Sequence, residues 1–165
     1  MEREQTNGFE AAKDKALHIL ARRRHTKKEL SEKLVRAGFL TDTADAVCAW
    51  AAGYGFLNDE EYARAFVSDS INYKSYGKKR IRQALLHKGV DACTADDVLA
   101  EFDFHEADKL AELLPKKLGG NFERKNIEKA IRHFAAKGYA YDEIKNAINT
   151  YKDNVTLGED DEFEL

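Results

Sequence analysis

Two groups of cations stand closest to chemistry in this 165-residue chain. Arg22, Arg23, Arg24, Lys27 and Lys28 run almost consecutively around His25 and Thr26, and Lys74, Lys78, Lys79, Arg80 and Arg82 surround Gly77. Clustered Lys and Arg raise the local potential enough to hold phosphate or an acidic protein surface without a basic chain overall. The net charge is −3, so binding of an anion must be local. Residues 1–90 carry 17 basic against 12 acidic side chains and residues 91–165 carry 10 against 18, which confines the positive excess to the first half. The first cluster follows a helical stripe, where cations complement the negative end of a helix dipole. The second falls in a first helical turn, where that dipole disfavours cations, so helix formation does not account for it. Tyr73 and Tyr76 flank Lys74 and could stack on bases or pack at a helix end.

Catalytic patterns are missing. The chain has no phosphate-cradling GxxxxGK[ST], no GxGxxG, no HExxH and no GxSxG elbow. His18, His25, His87, His105 and His133 never pair at ligand spacing, and the acidic stretch Glu101, Asp103, His105, Glu106 and Asp108 lacks the Gly-centred loop of a calcium site. That stretch reads as a solvated face with helix-start charge. Cys48 and Cys93 stand far apart, which indicates neither a disulfide framework nor a zinc site and reads as two small, reduced, buried thiols. No catalytic residue, metal or cofactor is expected.

The elements that must position the cations are helices. Alanine occurs 23 times against 13 Val and Ile together, and there is one proline. The fold class read from this is all-α. A repeat organises it: Leu30, Leu34, Gly38 and Phe39 recur as Ile81, Leu85, Gly89 and Val90, and again as Ala130, Phe134, Gly138 and Tyr139. A glycine in the left-handed conformation ends a helix while the next apolar residue folds back onto its last turn. Start signals at Thr26–Glu29 and Asn58–Glu61, and a weaker one at Thr94–Asp97, agree with those stops. The apolar spacing predicts helices near 9–24, 26–37, 43–54, 58–75, 77–88, 94–101, 104–118, 122–137 and 141–152, with Pro115 kinking the seventh or breaking it at Leu114. The expected organisation is three tandem three-helix repeats, 9–55, 56–102 and 103–152, followed by an acidic, disordered tail, 153–165. Units of about fifty residues are marginal alone, so the repeats should stack into an elongated body.

With 43% hydrophobic and 35% charged residues, the chain can fill a core and is not intrinsically disordered. No apolar run reaches the ~18 residues of a membrane span, and the first ten residues lack the apolar stretch of a secretory signal. A cytoplasmic monomer without membrane contact is expected.

The residues also resemble a known family. Ala16 and Leu17, Leu20 to Arg24, and Lys28, Glu29, Leu30 and Leu34 look like the opening signature of the RecX regulatory proteins. Gly55-Phe56-Leu57-Asn58-Asp59-Glu60-Glu61-Tyr62-Ala63-Arg64-Ala65-Phe66 is similar to that family's most distinctive segment. Gly77 to Leu85 and Lys88-Gly89-Val90 follow at the familiar interval, and Phe134 to Tyr139 match more loosely. The resemblance spans roughly residues 10–152. Asn58, where the family often has Asp, Ala84, where it commonly has an acid, and Pro115 depart from its pattern.

The resemblance implies a curved molecule of three helical repeats lying in the groove of the RecA recombinase filament. There it restrains filament growth, ATP hydrolysis and strand exchange, and so modulates recombinational repair. Contact with single- or double-stranded DNA would be weak or indirect. The partner-binding residues expected are Lys74, Lys78, Lys79, Arg80, Arg82, Arg22, Arg23, Arg24, Lys27 and Lys28. Two rival readings are a nucleic-acid-binding helical module without a recombinase target and a plain helical scaffold for an unrelated peptide.

Overall fold

The structure, a computed structural model, describes residues 2–161. Among them the chain forms nine helices and no strand, as the composition predicts: α1 (Glu2–Leu20), α2 (Lys27–Arg36), α3 (Thr41–Gly53), α4 (Asp59–Asn72), α5 (Lys78–His87), α6 (Ala92–Ala100), α7 (Glu106–Leu118), α8 (Arg124–Ala136) and α9 (Tyr141–Asp161).

By compactness the chain divides into two units. One gathers the residues up to Ser68 together with Arg82–Glu101; the other gathers Asp69–Ile81 and the residues from Phe102 onward. In the first, α1, α2 and α3 pack on one another around Ala12, Ala16, Leu30, Leu34, Val47 and Ala51. Alanine at 12, 16 and 51 lets the helices approach closely, and burying Leu30 and Leu34 contributes roughly 1.5–3 kcal/mol each. In the second, α7, α8 and α9 enclose Leu110, Leu114, Phe134, Tyr139, Ile144 and Ile148. The helices between bury Val67, Ile81, Leu85, Val98 and Leu99. Because α4 and α5 each give residues to both units, the boundary by compactness runs inside the expected middle repeat.

All three glycine stops have the expected geometry. Gly38, Gly89 and Gly138 have φ of 99°, 91° and 96°. The amides of Phe39, Val90 and Tyr139 donate to the carbonyls of Leu34, Leu85 and Phe134, and the glycine amides donate to Val35, Leu86 and Ala135. These are the two bonds of a Schellman stop, and they satisfy carbonyls that a helix end otherwise leaves open.

Several boundaries differ from the sequence reading. Thr26 caps α2 with both bonds of a capping box, and Asn58 Oδ1 accepts from the Glu60 and Glu61 amides. At α6, however, the cap is Asp91 and not Thr94: the Asp91 carboxylate accepts from the Thr94 amide at 2.9 Å, so the helix starts earlier than its weaker signal implied. The helix α7 runs through Pro115 to Leu118, because the apolar row Leu110, Leu114 and Leu118 stays buried across the missing amide. The expected tail from 153 is helical as far as Asp161. Ile144, Ile148, Tyr151 and Val155 continue one face, and no proline or glycine intervenes before Gly158. The last four residues of the acidic stretch lie outside the described residues. Cys93 is exposed, contrary to its reading as a buried thiol, whereas Cys48 is buried.

Candidate functional site

The basic clusters sit at two junctions of the same design. In the first unit the start of α2 meets the end of α5. The Thr26 hydroxyl donates to the Lys88 carbonyl at 2.6 Å, Lys28 Nζ donates to the His87 carbonyl at 3.2 Å, and Lys88 Nζ pairs with Glu29 at 3.0 Å. In the second unit the start of α5 meets the end of α8: the Gly77 amide donates to the Lys137 carbonyl at 2.8 Å, and Lys137 Nζ donates to the Lys74 carbonyl at 3.2 Å. Each junction sets the positive end of one helix dipole against the negative end of another, and the carbonyls left over at the helix end accept from the Thr26 hydroxyl and Lys28 ammonium in the first and from the Gly77 amide in the second. Gly77 has no room for a side chain, since a Cβ there would lie 2.7 Å from the Gly138 carbonyl group.

A carboxylate from another helix completes each junction. Asp59 Oδ1 accepts from the Lys27 amide at 2.8 Å, and Glu106 Oε1 accepts from the Lys78 amide at 2.6 Å. Burial raises the pKa of Glu106, with the Glu143 carboxylate acting in the same direction; burial likewise raises that of Asp59. Glu106 offsets the dipole that makes Lys78 and Lys79 costly in the first turn of α5, and Asp59 stands in the same place at the start of α2. The Tyr139 hydroxyl donates to the carbonyl of Ser75, whose φ is 52°, and pins the turn that carries Lys74. Burial pushes the Tyr139 phenol up to about 12.

The structure sorts the expected binding cations by what already holds them. Arg80 donates to the Ala136 carbonyl at 2.6 Å and lies over the Tyr76 ring at 4.0 Å, so its guanidinium serves the second junction. Tyr76 is thereby occupied, whereas Tyr73 is 84% exposed. Arg82 forms a bidentate pair with Asp96 at 2.6 and 2.9 Å and belongs to the first unit, whereas Lys74, Lys78 and Lys79 belong to the second. The hydrogen bond to Asp96 raises the Arg82 pKa further. Lys28 is spent on the first junction, and Arg23 bonds the Arg24 carbonyl and reaches Glu29 at 3.4 Å. Arg22, Arg24, Lys27 and Lys79 are exposed, as are Lys74, which lies over the Tyr76 ring, and Lys78, whose ammonium lies 5.8 Å from the Phe104 ring.

Sequence reasoning missed an aromatic group. Trp50 packs against Tyr54 and Phe56 at 5.4 and 5.7 Å, with Lys13 4.9 Å above the indole, and Tyr54 and Phe56 are exposed. Their separation across the end of α3 hides the grouping, although Trp50 and Tyr54 share a helical face. The acidic stretch forms no metal-holding cluster among the described residues: Glu101 pairs with Arg64, and Glu106 caps α5.

Comparison with known proteins settles the family. The profile of the first three-helix domain of RecX matches residues 12–50 and that of the second matches residues 58–99. A regulatory protein RecX of Vibrio parahaemolyticus is 32% identical over 143 residues, covering 84% of this chain and 90% of its own length. The chain belongs to the RecX family. A regulatory protein RecX of Clostridioides difficile is also 32% identical, over 142 residues that make up 84% of this chain and 66% of that protein. The crystal structure of RecX from Lactobacillus salivarius superposes with a TM-score of 0.76 at 25% identity, over 88% of this chain and 97% of that one. The RecX profiles meet the two residue stretches in which the cap at Thr26 and the cap at Asn58 lie, so both start signals fall inside family domains.

Proposed function

We propose that this chain regulates homologous recombination by binding the RecA nucleoprotein filament and restraining its ATP hydrolysis, growth and strand exchange. The observation that carries this reading is the match to regulatory proteins of the RecX family over most of both lengths. The chain is read as three tandem repeats, the first two with a basic helix start, so that one weak contact makes the next effectively intramolecular. Lys74, Lys78 and Lys79 in one unit and Arg22, Arg24 and Lys27 in the other are the cations assigned to acidic recombinase surface or DNA phosphate. Arg80 and Arg82 are assigned to the fold instead, since their guanidinium groups are hydrogen-bonded to the Ala136 carbonyl and to the Asp96 carboxylate.

Titration into a RecA ATPase assay on single-stranded DNA tests the reading. Inhibition that saturates near one chain per few recombinase protomers is expected, and an unchanged rate overturns it. The rival, direct binding of nucleic acid, draws on the exposed Tyr54 and Phe56 beside Trp50, an arrangement suited to stacking. It predicts affinity for bare DNA equal to that for the filament at matched salt.

A further inference from the structure

The turn between α4 and α5 is held more firmly than a surface connection requires. Within it the Tyr76 amide donates to the Ser70 carbonyl at 3.1 Å. The end of α8 and the residues after it grip the same turn. Lys137 Nζ donates to the Lys74 carbonyl at 3.2 Å, the Tyr139 hydroxyl donates to the Ser75 carbonyl at 3.0 Å, and the Lys137 carbonyl accepts the Gly77 amide at 2.8 Å. Ser75 has a φ of 52°, in the left-handed region that a side chain disfavours. Such a conformation lasts only where its surroundings over-determine it, and it is met most often at binding and switching sites. Tyr139 is 4% exposed and its ring meets Phe134 edge-on at 5.9 Å, so the pin on Ser75 belongs to the core.

What this turn presents is Tyr73. At 84% exposure it is the most exposed large apolar side chain among the described residues. Its amide is bonded to the Asp69 carbonyl at 3.0 Å, so the backbone is fixed while the ring meets water. A tyrosine has only two side-chain torsions to order, and a rigid backbone removes most of the remaining entropic cost of contact, which is the arrangement of an interface anchor. Lys74, next in the chain, and Lys79, in the first turn of α5, are exposed as well.

The surrounding charges decide which partner the turn suits. Asn72, Ser75 and Tyr76 help to line a cavity of about 280 Å3 whose other residues include Asp103, Glu106, Asp108 and Glu112, with Lys109 as its lysine. A phosphate chain laid over the turn would meet Lys74 and Lys79 but also these carboxylates, which repel it within the ~8 Å Debye length of physiological salt. A protein surface carries charges of both signs and apolar pockets, and so suits the turn where a polyanion does not.

We infer that Tyr73 is the anchor by which this unit docks on a protein partner, its ring entering an apolar pocket framed by carboxylates that meet Lys74 and Lys79. The inference rests on the proposed binding to the recombinase filament and names the contact through which that binding is made.

Fluorescence anisotropy of the full chain with the RecA filament on single-stranded DNA, and with the same DNA bare at matched salt, tests it. Tyr73→Ala should weaken filament binding by at least about tenfold and leave the affinity for bare DNA within about twofold. Its urea midpoint should match the parent's, because the ring it removes is in water. Tyr73→Phe, which keeps the ring, should bind the filament within about threefold of the parent. Tyr73→Lys, which puts a cation in the same place, should bind it as weakly as Tyr73→Ala. Filament affinity unmoved by Tyr73→Ala, a gain with Tyr73→Lys, or an equal loss on bare DNA each overturns the inference. A parent chain that does not bind the filament overturns the proposed function together with the inference, whereas a binding parent matched by Tyr73→Ala overturns the inference alone.

Discussion

The hydroxyl of Thr26 makes two bonds at once: its oxygen accepts the Glu29 amide at 3.1 Å and its proton goes to the Lys88 carbonyl at 2.6 Å. One side chain therefore closes the start of α2 and fastens it to the end of α5. A helix cap is worth ~1 kcal/mol and a buried hydrogen bond about the same. Thr26→Val should cost about 2–3 kcal/mol in urea unfolding, whereas Thr26→Ser, which keeps the oxygen and proton, should cost under about 1 kcal/mol.

The three glycine stops should not be equally tolerant. At Gly38 an added Cβ meets no described atom within 4 Å, so Gly38→Ala suffers only the left-handed backbone strain of ~1–2 kcal/mol. At Gly138 the added carbon would lie 2.6 Å from the Arg80 backbone nitrogen, and the junction must open as well. Melting temperature should fall further for Gly138→Ala than for Gly38→Ala; equal losses would mean that the junction yields freely.

The cations should separate into two phenotypes. Lys79→Ala and Lys27→Ala should leave unfolding within about 0.5 kcal/mol of the parent. For each phosphate that its cation no longer neutralises, the salt dependence of filament binding should flatten by about 0.7–0.9 in log–log slope. Arg80→Ala should instead lower stability, because it leaves the Ala136 carbonyl and the Tyr76 ring without their guanidinium. Filament affinity across a salt series, read beside urea midpoints, distinguishes the two.

Acid should weaken the fold in two stages. The lowered His25 pKa means that the unfolded chain binds the proton more readily, so the stability His25 contributes is present above its ordinary 6.5 and declines as pH falls below it. Burial works to raise the Glu29 pKa, but the hydrogen bond and charge of Lys88, helped by Arg23, overcome it and hold the carboxyl below its ordinary 4.5. That contribution is present above 4.5 and is lost as pH falls further. Urea midpoints measured from about pH 8 to about pH 3 should show both declines, and Glu29→Gln should remove the second.

The thiols should differ in access. Burial, with Asp45 adding to it, pushes Cys48 up to about 11, and its Sγ–H points to the Lys27 carbonyl at 3.7 Å. Cys93 is exposed, although Asp97 beside it raises its pKa too. Iodoacetamide at about pH 8 should label Cys93 slowly and leave Cys48 intact until the chain is unfolded, as mass spectrometry of the peptides would read.

Much of the fold is legible in the residues because it is local. The caps at Thr26 and Asn58 and the stops at Gly38, Gly89 and Gly138 obey rules that span only a turn or so of helix. The start of α6 misled because Asp91 sits just ahead of Thr94 and both are cap formers; the sequence cannot rank them without the packing of Ala95 and Val98. The persistence of α9 past 152 depends on one apolar face that Val155 extends. The cation clusters were visible, but their division was not. Whether Arg80 reaches solvent or the Ala136 carbonyl is decided by a pairing 56 residues apart, which no local spacing encodes.

Gly38 ends α2 as Gly89 and Gly138 end α5 and α8, yet those two press against Lys28 and Arg80 while no described atom leans on Gly38. Among the described residues nothing presses on the Gly38 stop, so a change of backbone there is felt by a single helix end, whereas the same change at Gly89 or Gly138 is felt by two helices at once.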